Sequence, residues 1–186
     1  MKIFLLIFYI FVFNVVNASE LTLLRTLEEK ELAKKNYVEN NNWNWKKVFT
    51  KKGKSSISQT GVTTYLGTSY IDEASIRKII YPSKIKVREF YNLINLAEPI
   101  GSSSSIIFQT KVNCKTKKFI NDYIQFFSDP FGKGQSAMHR LFEPLSPRQN
   151  WVKGTRMYNL AIHACKTKPS ETVNLQKRVE KFKKIK

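Results

Sequence analysis

Ile3 to Phe13 is an uninterrupted apolar run behind the basic start Met1-Lys2, and the chain turns mixed at Asn14-Val15-Val16-Asn17-Ala18-Ser19. This is the layout of a secretory signal peptide over residues 1–18, with the small-residue site Val16-Asn17-Ala18 predicting cleavage after Ala18. The run is too short for an ordinary membrane-spanning helix. In residues 19–42, Leu21, Leu24, Leu27 and Leu32 recur among acids and bases, with Ser19 or Thr22 as a cap. That spacing predicts an amphipathic helical lead, broken at Asn40-Asn41-Asn42. Trp43 to Phe49 then alternates aromatic and polar residues as a half-buried strand does, and Lys51 to Gly61, rich in Ser, Gly and Lys, reads as a hairpin loop.

From Val62 the pattern is predominantly β. Val62 to Leu66, Thr68 to Asp72, Ile85 to Leu96, Ser104 to Cys114, Phe119 to Phe127 and Gln135 to Phe142 are separated by Gly, Pro or Ser turns. Such a series predicts an antiparallel sheet. In Ser104 to Cys114 the period of two places Ile106, Phe108, Thr110, Val112 and Cys114 on one face, predicting that Cys114 points into the core. Arg156 to Cys165 changes period: Met157, Leu160, Ala161 and Ala164 fall on one helical stripe, and Thr155 is a suitable N-cap. Beyond Pro169, apolar residues are too sparse to predict a docked helix, so residues 166–186 read as a basic tail.

Two cysteines, Cys114 and Cys165, are present. In an exported chain they have one partner each, and the bridge would pin the helix across the sheet. No cysteine lies near the predicted cleavage site, so the chain is expected not to be lipid-anchored. Past the leader, no hydrophobic stretch is long enough to span a bilayer.

Charge narrows the partners. With 32 Lys+Arg against 14 Asp+Glu, the formal net charge is +18, which favours acidic partners. Lys46, Lys47, Lys51, Lys52 and Lys54 are the candidate binding face, although runs of like charge also simply solvate a surface. Basic residues near Trp43, Trp45, Phe49 and Phe119 would suit single-stranded nucleic acid, which an exported protein seldom meets. No nucleic-acid partner is expected.

Catalytic chemistry is poorly supplied. His139 and His163 are the only histidines, and a hydrolase would have to be built from one of them with Ser75 and an acid such as Asp72. Asp72 and Glu73 are neighbours, so on a strand they would face opposite sides. There is no Cys-x-x-Cys, no His-Glu-x-x-His and no acidic calcium loop, while Phe131-Gly132-Lys133-Gly134 lacks the length and hydroxyl residue of a phosphate loop. No metal, cofactor or enzymatic activity is expected.

Tyr70-Ile71-Asp72-Glu73-Ala74-Ser75-Ile76-Arg77 resembles the signature of the bacterial surface-adhesin protein E family. The resemblance continues through Val87 to Leu96, the serine-led Ser102 to Cys114, the turn Phe131-Gly132-Lys133-Gly134, and Trp151-Val152-Lys153-Gly154-Thr155 with its helix to Cys165. It covers about Trp43 to Cys165 and implies an adhesin-like domain over 43–165. The implied fold is an α+β arrangement: an antiparallel sheet of about six strands with a C-terminal helix tethered by the Cys114–Cys165 disulfide. The implied function is non-enzymatic attachment to extracellular-matrix or plasma proteins, with homodimerisation as a further expectation, and the basic charge adds acidic surface polymers as the alternative ligand. The expected location is the periplasm, the cell surface or the medium. A second reading is an envelope structural or assembly protein that uses the sheet to dimerise.

Overall fold

The computed structural model describes residues 43–52, 56–57, 63–64, 66–140, 149–175, 177 and 180. The predicted leader (1–18), the helical lead (19–42) and Lys54 lie outside the described residues. The chain divides into two compact units, one formed by residues 43–79 and 86–173, the other including the 80–85 turn and the chain from Asn174. In the smaller unit the Tyr81 and Lys84 amides donate to the Ile85 and Tyr81 carbonyls, closing the turn.

Among the described residues the larger unit is built on a nine-stranded sheet. Its central strands are β4 (Gly67–Asp72), β6 (Lys86–Ile100), β7 (Ser103–Asn113) and β8 (Lys118–Asp129), with β1 (Trp45–Lys51) at one end beside β4. β9 (Lys133–Arg140) and the short β10 (Gln149–Asn150) share the outer side of β8, while β5 (Arg77–Ile80) lies between β6 and β11 (Glu171–Asn174). The pairings β1–β4, β4–β6, β6–β7, β7–β8, β8–β9 and β8–β10 are all antiparallel. A separate two-residue ladder joins β2 (Ser56–Ile57) to β3 (Thr63–Thr64).

Helix α1 (Arg156–Lys166) packs on one face of this sheet. The Thr155 hydroxyl accepts from the Tyr158 amide, so the predicted cap satisfies one donor of the first turn. Met157, Leu160, Ala161 and Ala164, the predicted stripe, are buried against Ile71, Ile76, Phe90, Val112 and Trp151. A disulfide joins Cys114 to Cys165 with the Cα atoms 5.9 Å apart. Closing that 51-residue separation contributes about 4 kcal/mol through the unfolded chain.

Several expectations are corrected. The sheet has nine strands rather than about six, and one short helix makes the described fold mostly β rather than α+β. β5, β10 and β11 have only two to four residues, too few for a period of two to register. β6 runs through Pro99 because neither edge is paired there: the β4 register ends at Leu96 and the β7 register passes from Asn95 to Ile100, so the missing amide costs no ladder bond. Cys114 is exposed rather than core-facing, since β7 ends at Asn113 and the chain enters a turn. Within Val62 to Leu66 the described pair Thr63–Thr64 forms β3, and the tail contributes β11, with Val173 buried.

Gly67 illustrates why local chemistry fixes the sheet. A Cβ there would sit 2.0 Å from the Asn95 carbonyl oxygen, so no larger residue fits between β4 and β6.

Candidate functional site

β1 is the terminal strand of the sheet and carries the lysines singled out above. Its register pairs Lys46 with Ile71, Lys47 with Tyr70 and Lys51 with Gly67, with a shift between Lys47 and Phe49 that marks a bulge at Val48. Ile71 and Gly67 lie four residues apart on β4 and hence on one face, so the bulge brings Lys46 and Lys51 to the helix side together. Lys47 takes the opposite side. Lys52 follows the strand and is exposed. The structure thus distributes the cluster over both sides of one edge.

Lys46 is already engaged. Its ammonium lies 2.9 Å from Glu73 Oε1, and the same oxygen is 2.6 Å from His163 Nε2 of α1. The Lys46 hydrogen bond first, and that of His163 second, hold the Glu73 carboxyl below its usual range. Glu73 opens a three-residue 3-10 turn after β4, which is how it reaches both partners. This shared carboxylate ties the edge strand to the helix.

The groups from which a hydrolase would have been assembled have other duties. Ser75 Oγ donates to the Asp72 carbonyl at 2.7 Å and accepts from the Tyr91 amide at 2.9 Å, locking the 3-10 turn onto β6. His163 serves Glu73. His139 stands on β9 opposite Ile124. Asp72 ends β4 and Glu73 begins the turn, as neighbours rather than a facing pair. Among the described residues no group of His, Cys, Asp and Glu could hold a metal ion.

The other face of the sheet holds a charge network that periodicity did not reveal. Arg77 Nε meets Glu89 Oε1 at 2.5 Å, Lys111 Nζ lies 3.8 Å from Glu89 Oε2 and 2.6 Å from Asp122 Oδ2, and Glu171 reaches Arg77 at 3.5 Å. Arg77, Glu89 and Lys111 are all buried. Burial alone would lower the Arg77 guanidinium, but Glu89 and then Glu171 outweigh it and raise its pKa. Burial, with Tyr123 and Asp122 nearby, pushes the Tyr91 phenol well above its usual value. Trp43 stacks on Trp45, with ring centroids 4.9 Å apart, and meets Tyr91 edge-on at 5.3 Å. Two of the aromatics suggested for nucleic-acid stacking are therefore stacked on each other.

The family model described as Surface-adhesin protein E matches residues 44–166. Two solved structures of Haemophilus influenzae protein E are similar to this chain. The first, crystal form II, has 19% identity over 61% of this chain and 96% of that chain, with a TM-score of 0.39. The second has 17% identity over 66% and 93%, with a TM-score of 0.40. No curated protein matches.

Proposed function

This chain belongs to the surface-adhesin protein E family, and from that membership we propose that it is an exported, non-enzymatic binding protein that attaches to acidic extracellular-matrix or plasma proteins, or to acidic surface polymers. The observation that carries the proposal is the family match over 44–166, joined to a lysine-rich strand at the open end of the sheet. Lys47, Lys51 and Lys52 present charge on both sides of that edge, and Lys46 adds to it while holding Glu73. Lys54 completes the face proposed from the sequence. Among the described residues no helix is long and apolar enough to cross a membrane. The protein is proposed to act from the periplasm, the cell surface or the medium.

Binding of the purified, oxidised protein to immobilised vitronectin, laminin and heparin at low and physiological salt tests this reading. Saturable binding that persists at physiological salt, and that weakens with a flatter salt dependence when Lys47, Lys51 and Lys52 become Gln, supports it. Unchanged binding by that folded variant would remove the lysine edge from the site. The terminal position of β1 also favours a second reading, an envelope assembly protein that dimerises edge to edge. Salt-insensitive self-association would favour it.

A further inference from the structure

The helix side of the sheet contains a groove of about 380 Å³ at the N-terminal end of α1, between β1–β4 and β8–β10. Phe49, Phe108 and Phe119 line it, with Ile94 and Ile124 beside them. Val152, 62% exposed, stands among the lining residues as one of two large exposed apolar side chains of the described chain. The space equals roughly a dozen waters and falls within the range of small-molecule sites, ~300–1,000 Å³.

We propose that this groove binds a small amphiphilic carboxylate, an apolar ring or branched body bearing one carboxylate group.

Three observations converge on that chemistry. Charge complementarity is the first: Lys51 and Arg156 line the groove, no acidic residue is among its described lining, and the first turn of α1 carries no acid. The positive end of the helix therefore meets the space beside two cations of the described lining. The second is Ser69, also a lining residue, which is fully buried with a hydroxyl that has no hydrogen-bond partner. A buried hydroxyl left in that state is costly, and a carboxylate oxygen would satisfy it.

Preorganisation is the third. Arg156 Nη1 donates to Asn92 Oδ1 at 3.0 Å, and its guanidinium carbon lies 4.5 Å from the Phe108 ring centroid. Asn92 Nδ2 in turn donates to Thr110 Oγ1, and Thr110 donates to Asn121, a lining residue. A cation fixed by a buried relay and stacked on an aromatic wall loses little freedom when an anion arrives. The apolar walls take the body of the ligand, and the polar end takes its carboxylate.

The test uses the oxidised protein with 2-naphthoate and its uncharged analogue 2-naphthalenemethanol, followed by calorimetry and ligand-observed NMR. The expected result is saturable naphthoate binding, with the alcohol about tenfold weaker because it lacks the charge-assisted bonds. Val152→Glu places a like charge beside the groove at an exposed position that leaves the melting temperature unchanged, and it should weaken naphthoate by about tenfold while sparing the alcohol. Arg156→Gln should act in the same direction, and Arg156→Lys should restore part of the loss. Absence of saturable naphthoate binding at millimolar concentration would overturn the proposal. Equal binding of acid and alcohol, or undiminished naphthoate binding by Val152→Glu, would do the same.

Discussion

Replacing Lys111 by Met should cost far more than a surface lysine would. At an effective dielectric of about 20, charges 2.6 Å and 3.8 Å apart attract by about 6 and 4 kcal/mol, and desolvation of the ammonium offsets much of this. Breaking a buried pair from one side typically leaves a net loss of about 3–5 kcal/mol, because the stranded carboxylate remains buried. Here Asp122, 19% exposed, loses its Lys111 partner, while Glu89 keeps Arg77 at 2.5 Å. With an m-value of about 2 kcal/mol/M, the urea midpoint should fall by roughly 2 M. Adding Asp122→Asn removes the charge that Lys111 faced, so the double variant should recover about 1–3 kcal/mol relative to additivity. Urea titrations of the wild type, both single variants and the double variant give all four corners. A Lys111→Met cost below about 1 kcal/mol, or additivity within about 0.5 kcal/mol, would refute the account of a buried, coupled network.

Removing the bridge with Cys114→Ser and Cys165→Ser should lower stability by about 4 kcal/mol; a urea midpoint equal to that of the oxidised wild type would contradict it. Leu160→Ala, at a fully buried helix position, should cost about 2–5 kcal/mol, and thermal unfolding monitored by circular dichroism measures this. Thr155→Ala should cost about 0.5–2 kcal/mol while Thr155→Ser costs little, since the hydroxyl that accepts from Tyr158 is kept. The Glu73 carboxyl is depressed below its unfolded value by Lys46 and then His163, so its contribution is present above that unfolded value and lost as pH falls through the folded one. Glu73→Gln should therefore flatten the acid limb of stability against pH, and an unchanged limb would count against the shared carboxylate.

Much of this architecture was legible in the sequence, and the exceptions share a cause. α1 was readable because its stripe repeats over a whole helix and its cap residue is local. β4, β6, β7 and β8 were readable because six or more residues sustain their pattern. β7 also shows where alternation fails: Ile106 and Phe108 are buried as expected, but so are Ile107, Gln109 and Lys111, so both faces of this strand are buried. Lys111 then looks like a solvent residue until the register sets it opposite Glu89, information that no single strand contains. The lysines of β1 were visible as a cluster, but their division between two faces was not, since it depends on the bulge at Val48. The groove drew on Phe49, Ser69, Phe119 and Arg156, far apart in the chain and united only by folding.

That bulge makes β1 a phase element. Upstream of Val48 and downstream of it, the strand is held by the same partner, yet the two halves are offset by one position. Deleting Val48 would turn β1 into a regular strand with every partner kept, Lys46 opposite Ile71 and Lys51 opposite Gly67, whereas closing the bulge with Val48 retained would move one half by one position and part the two lysines to opposite sides. A lineage could therefore lose one codon at this position and keep its cationic edge aimed as it is, leaving the core strands and the disulfide untouched. A change of length is absorbed here that elsewhere on the strand would re-aim the edge.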